Sequence, residues 1–252
     1  MPLVDLVLLI LLFFATSVVG VVTGSNSLIT VPLMFQFGID EKVAVATNMF
    51  GLTFMAIGGT IPFVRQGAIQ MKELTPFVVL TVIGSAVGAM LVGVISNQSI
   101  RIIVSVAMIA IVLFTIFRRD RERAKEQRKA AHSTLSFIVF PAVFILAIYG
   151  GLYSGGYVTV LTAVLVAFSG RTFAESIAAT KFINVFSSGV ATLVFMWQRL
   201  VDYQLGIILG VAMFAGAFIG AHFASRMNES LLRAIFISAV AILAVKVLFD
   251  VF

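Results

Sequence analysis

Lys181 stands eight residues beyond Phe173 inside an apolar stretch, Phe173–Trp197, whose single carboxylate is Glu175 near its start. At 1.5 Å per residue that places it about 12 Å along a helix. In a hydrocarbon setting an ammonium at such depth costs about 2.5 kcal/mol or more, which makes it a functional candidate by default. Thr180, Asn184, Ser187 and Ser188 accompany it, and positions 181, 184 and 188 share one helical face. Thr47 and Asn48 form a comparable polar pair inside the apolar run 43–64. No carboxylate lies at similar depth: Asp5, Asp40, Glu41, Glu73, Glu175, Asp202, Glu229 and Asp250 all fall near the ends of apolar runs or between them. A cation with amides and hydroxyls around it and no acidic partner has the chemistry of an anion site. The alternative is a lysine that snorkels to an interface or donates to backbone carbonyls.

Two interruptions in the apolar pattern supply a second kind of anion chemistry. Residues 6–37 are mostly apolar but interrupted at Thr23, Gly24, Ser25, Asn26 and Ser27, and residues 135–168 are interrupted at 150–156. A single helix of 32 residues measures about 48 Å, more than the hydrocarbon core, while two full crossings need about 60 Å. The intermediate length predicts a broken helix or a hairpin that enters and returns. Ser25, Asn26 and Ser27 precede the short apolar run 28–35, and Gly155, Gly156 and Tyr157 precede 158–168. Both breaks read as N-termini of short helices, whose unpaired N–H groups and partial positive charge favour anions. A glycine kink with its caps satisfied by neighbours is the competing reading.

Other chemistry finds little support. There is no cysteine, which removes thiolate catalysis, disulfides and cysteine metal sites. No HExxH, GxSxG, P-loop or pair of membrane aspartates occurs. His222 reads as an interhelical hydrogen-bonding residue and His132 as solvated. The expectation is a protein without catalytic residues, cofactor or metal, and not an enzyme.

The elements that must hold these residues follow from composition. Of 252 residues, 61% are hydrophobic and 11% charged, against about a quarter charged in a soluble domain. Apolar runs cover residues 43–64, 75–95, 102–117, 173–197, 205–223 and 231–249, most of them near the 20 residues a membrane helix needs. The net charge of +6 comes mostly from Arg118, Arg119, Arg121, Arg123, Lys125, Arg128 and Lys129. A basic cluster between apolar blocks is a topology signal and reads as a cytoplasmic loop rather than a nucleic-acid surface. The first segment lacks a basic n-region and reads as a retained membrane segment.

The chain also repeats itself. GVVTGSNSLITV from Gly20 pairs with GLYSGGYVTVLT from Gly151, and AVATNMF from Ala44 with IAATKFI from Ile177, which sets Asn48 opposite Lys181. Gln66 pairs with Gln198, Gly84 and Gly88 with Gly216 and Gly220, and SNQSIR from Ser96 with MNESLLR from Met227. Near-constant spacing implies a duplication. The predicted organisation is a first membrane repeat over 1–117, a basic cytoplasmic linker over 118–134 and a second repeat over 135–252. If each opening segment is a hairpin, the halves are inverted, and Arg65, Lys72, Arg171, Arg226 and Arg233 share the cytoplasmic side. A simple span in each half would put the last three outside, which is unfavourable. The expected fold is an all-α integral membrane protein of two inverted repeats, each with an interrupted or re-entrant first segment followed by three transmembrane helices.

The glycine-rich break, AVATN followed by FVRQGAIQ, and GGLYSGG with IAATKFINVFSSGVATLVF and FMWQRLVDY resemble the sulfite exporter TauE/SafE family, also described as the 4-toluene sulfonate uptake permease family. The resemblance covers residues 18–252. It implies transport of sulfite, sulfonates, sulfoacetate, thiosulfate or related anions. On it, Lys181 and Asn184, with Thr47 and Asn48, match the family's polar helix motif, and Gly24, Gly155 and Gly156 match its helix break. The first break departs from the family's glycine triplet and presents hydroxyls and an amide instead.

The expectation is a secondary transporter for a small anion, most simply a sulfur oxyanion, working by alternating access in the cell inner membrane. Lys181 supplies charge, the half-helix ends supply N–H donors, and Asn48, Thr47, Asn184, Thr180 and Ser188 orient oxygens. A passive anion channel and a non-transporting membrane scaffold are the alternatives. The partners implied are the lipid bilayer and the anion, with a homodimer compatible and no nucleic acid.

Overall fold

In the computed structural model, residues 2–24, 26–67, 69, 71–125, 136–169 and 171–224 are described. Among them the chain forms nine helices: α1 (Leu3–Thr23), α2 (Ser27–Gln36), α3 (Glu41–Arg65), α4 (Met71–Val94), α5 (Asn97–Lys125), α6 (Ser136–Leu152), α7 (Tyr157–Phe168), α8 (Phe173–Trp197) and α9 (Tyr203–Ala224). Five stretches, those of α1, α3, α4, α8 and α9, are long and apolar enough to cross a membrane. Many large apolar side chains point outward, among them Val79, Ile83, Val87, Leu193 and Ile207, as they must where the solvent is lipid. The chain is thus an all-α membrane protein.

Local chemistry sets the helix ends. Asp40 caps α3 by accepting from the backbone N–H groups of Lys42 and Val43, and Thr172 with Glu175 forms a reciprocal capping box on α8. Gly24 ends α1 in the left-handed region at φ 71°, its N–H donating to the Gly20 carbonyl. Helix α5 runs past the expected boundary at 117 and continues to Lys125. Arg, Glu, Lys and Ala are strong helix formers, so the basic segment prolongs the helix before any loop begins. Residues 126–134 of the expected linker, the apolar run 231–249, and the arginines at 226 and 233 lie outside the described residues.

Contacts between helices give their directions. The carbonyls of Phe14 and Val18 on α1 lie against Gly216 and Gly220 on α9, so these helices run parallel. Gly51, Gly58 and Gly59 on α3 meet Met213, Phe214 and Ala217, so α3 runs with them. The carbonyls of Phe144 and Ile148 on α6 face Gly84 and Gly88 on α4, again in parallel. Helices α4 and α8 are parallel too, joined by Glu73–Arg171 at one end and Ser85–Ser187 midway. Thr53 meets Thr192 (3.0 Å) while Thr47 accepts from the N–H of Asp202, which makes α3 and α8 antiparallel.

These directions turn both opening segments into hairpins. Helix α1 runs from the end carrying Asp40, Asn97 and Arg101 toward the interior, and α2 returns to that same end at Asp40. Asn26 Nδ2 reaches back to Ser17 Oγ at 3.4 Å; a continuous helix would separate the two residues by about 13 Å along its axis. Helix α6 starts from the opposite end, and α7 returns there beside Arg171 and Glu73. The breaks meet in the middle: a Cβ on Gly24 would lie 2.7 Å from Val158 Cβ and 2.9 Å from Thr159 N at the start of α7.

Close approach of backbones holds the bundle together. A Cβ on Gly88 would sit 1.9 Å from the Ile148 carbonyl oxygen, and one on Gly220 2.2 Å from that of Val18. Helices without a hydrophobic drive between them associate through such contacts. Neither obstacle is a mobile side-chain tip, so G88A and G220A should each destabilise the folded protein by about 1–3 kcal/mol. In the matched control G189A the new methyl meets nothing within 4 Å, and stability should hold or rise slightly. Thermal unfolding of the three variants in detergent checks both statements.

Candidate functional site

Lys181 projects from the third turn of α8 and is buried. Its Nζ donates to the carbonyl oxygen of Gly20 at 3.3 Å, on the last turn of α1. That carbonyl also accepts from the N–H of Gly24. The C-terminal end of a helix carries partial negative charge, so the end of α1 holds the ammonium in place of a carboxylate. An ammonium has three donors, and the Gly20 carbonyl is its one protein acceptor among the described residues.

The ammonium borders a small, partly open cavity with room in this conformation for about one water-sized group. Lys181 and Asn184 come to it from α8, Gly20 and Gly24 from the end of α1, and Asn26 and Ser27 from the start of α2. Ser154 and Val158 come from the second break, and Leu52, Met55 and Ala56 form an apolar wall on α3. Among the described residues no Asp or Glu contributes to it. Both interrupted helices and both halves of the chain therefore meet at one lysine.

The hydroxyls of Ser27 and Ser154 are 2.7 Å apart, which ties the first break to the second. Tyr153 donates to the carbonyl of Ser27 at 2.9 Å. Asn48 stands one layer behind: its Nδ2 donates to Ser27 Oγ at 2.9 Å, and its Oδ1 accepts from Thr30 Oγ1 at 2.7 Å. Asn26 is less complete. Its Nδ2 contacts Ser17 Oγ and Met55 Sδ, and its buried Oδ1 has no hydrogen-bond partner among the described residues.

Of the residues expected from sequence, Lys181, Asn184, Asn26, Ser27 and Gly24 line the cavity. Thr47 does not: its hydroxyl accepts from the N–H of Asp202 and fixes the turn between α8 and α9. Thr180 accepts from Thr162, and Ser188 donates to the carbonyl of Asn184 on its own helix. Gly155 and Gly156 shape the second break, packed against Tyr153 and Ile111, while Tyr157 lies over Gly150. Ser25 lies outside the described residues. Ser154, Gly20 and the apolar wall were not anticipated. Ser154 had a usable signal, since the repeat alignment sets it opposite Thr23 within the two breaks.

Comparison with known proteins agrees with this architecture. The family described as Sulfite exporter TauE/SafE matches residues 8–247. The probable membrane transporter protein ORF9 of Sinorhizobium sp. is 24% identical over 246 residues, covering 96% of this chain and 93% of that protein. The probable membrane transporter protein YfcA of Escherichia coli is 24% identical, with 96% and 90% covered. YdhB of Bacillus subtilis, another probable membrane transporter protein, is 24% identical over 255 residues, with 97% and 100% covered. No solved structure gives a significant match. With a family match over nearly its whole length, the chain belongs to the sulfite exporter TauE/SafE family of multi-pass membrane transporters.

Proposed function

We propose that the protein is a secondary carrier for a small sulfur oxyanion of the sulfite or sulfonate type, bound at Lys181 and moved by alternating access between two inverted repeats. The observation that carries this reading is a buried ammonium, with no carboxylate beside it among the described residues, at the point where two broken helices meet. The name of the family supports sulfur as the central atom. An incoming anion accepts from the N–H donors of Lys181 that no carbonyl uses, while Asn184, Ser27 and Ser154 orient its oxygens. Each broken helix adds the N–H groups at its restart, which favour negative charge.

The opposite running directions of α3 and α8, and of the two hairpins, support repeats over 1–117 and 135–252 that are inverted with respect to one another. Such halves, meeting at a site built from interrupted helices, are the usual apparatus of carriers that rock about a fixed centre. Placing 118–134 in the cytoplasm puts Arg65, Lys72 and Arg171 on that side of the cell inner membrane, as the charge rule favours. Lys42, Arg101 and Arg199 then face outward.

Vesicle flux of radiolabelled sulfite is the test. K181M keeps the length of the side chain without its charge, and should lower apparent substrate affinity by about ten- to a hundredfold, the worth of a charged hydrogen bond. It should still insert and elute as the wild type does. Wild-type flux by this variant would remove Lys181 from the site, and flux that never saturates would favour a channel.

A second set of variants separates cavity residues from their neighbours. N184A and S154A should weaken binding by about two- to tenfold, the worth of a neutral hydrogen bond. T47A and S188A should leave affinity within about twofold, because their hydroxyls serve backbone groups away from the cavity. Ligand-induced thermal shifts of the purified variants read both.

A further inference from the structure

We propose that the cavity selects singly charged oxyanions over doubly charged ones, an inference that rests on Lys181 being the partner of the anion. Among the described residues the ammonium is the sole charge in the lining, whose other polar side chains, Asn26, Asn184, Ser27 and Ser154, are neutral. Among the described residues, the elements packed around it add no charge at its depth. On α1 the one charged residue is Asp5, about 22 Å along the helix from Gly20. On α3 the charges are Glu41, paired with Arg101 of α5, together with Lys42 and Arg65 at the helix ends. On α4 they are Lys72 and Glu73 in the first turn, Glu73 being paired with Arg171. Helix α8 adds only Glu175, which closes its own capping box. Helices α2, α6 and α7 bring no charged side chain; the phenols nearby are Tyr149 of α6, Tyr153 in the break after it and Tyr157 of α7, and α9 has His222 in its last turn.

A monoanion beside one ammonium leaves the site neutral. A dianion leaves one negative charge uncompensated in a low-dielectric interior, where an unpaired charge is strongly disfavoured. Asn26 points the same way by independent means. Its buried Oδ1 lacks a partner, and an amide oxygen can only accept. The protonated oxygen of hydrogensulfite supplies the missing donor, whereas sulfonates and dianions alike present only lone pairs there, so sulfonates are admitted on charge alone. Among sulfur acids the cavity therefore takes the hydrogensulfite form of sulfite and the sulfonates, and disfavours sulfate and sulfite dianions.

Thermal-shift titrations of the purified full-length protein test this. Methanesulfonate and sulfate are close in shape and differ in charge, so half-saturation by sulfate should need about tenfold or more higher concentration. Sulfite provides a comparison within one set of heavy atoms. As pH is raised from mildly acidic to mildly alkaline, hydrogensulfite becomes sulfite, and the half-saturating total concentration should climb relative to that of methanesulfonate, which stays a monoanion throughout. Sulfate binding as tightly as methanesulfonate, or a sulfite-to-methanesulfonate ratio that is flat or falls with pH, overturns the selectivity while leaving a Lys181-dependent anion site. Methanesulfonate shifts that persist in K181M, or no shift by any anion in the wild type, overturn the underlying site and the selectivity together.

Discussion

The arrangement depends on one bond, from the ammonium of Lys181 to the carbonyl of Gly20. Inserting a lysine at that depth costs about 2.5 kcal/mol or more, and a hydrogen bond to a charged group returns about 1.5–3 kcal/mol. The two nearly cancel. The lysine is therefore tolerable without being fully satisfied, since two of its three donors have no acceptor among the described residues. A carboxylate in the place of that carbonyl would have neutralised the ammonium and removed its attraction for an anion. A helix end supplies acceptor character without a full charge, so the site keeps its positive sign.

That compensation is available only because α1 stops where it does. Gly24 adopts a left-handed conformation that turns the chain back, and its missing side chain lets Val158 and Thr159 of the second break come within van der Waals range. Any other residue there would force the two breaks apart and carry Gly20 away from α8. The Ser27–Ser154 contact reinforces the same junction. One glycine thus sets the position of a carbonyl in the first half, and that carbonyl holds a side chain of the second.

Much of this was legible before any coordinates. Helix positions followed from apolar runs near 20 residues, because lipid admits few other structures. Lys181 stood out because a cation in an apolar run is costly whatever surrounds it. The hairpins were legible as a length between one crossing and two. Polar residues of ordinary cost were harder. Thr47, Thr180 and Ser188 lie close to the cavity residues in sequence, yet their hydroxyls serve Asp202, Thr162 and Asn184. Helical periodicity tells which face a residue occupies, but not which neighbour crosses that face or at what angle. Ser154 was obscured differently: within a glycine-rich break there is no regular period from which to infer a direction.

The proposed duplication makes the placement of charge more informative than a single lysine would be. Asn48 and Lys181 occupy matching positions on helices that run in opposite directions. Asn48 is fully engaged within its own half, donating to Ser27 and accepting from Thr30, so it fastens α3 to α2. Lys181 reaches instead across to α1 of the other half. Two positions that the sequence sets opposite one another serve as a fastener in one half and a bridge between halves in the other. In the proposed carrier this asymmetry matters physically. If an anion draws the ammonium from the Gly20 carbonyl, it loosens a contact between the two bodies that must move, while the fastener within the first body stays intact. Binding energy at the site is then coupled to the freedom of one half against the other, which two lysines or two asparagines in a symmetric arrangement would not provide.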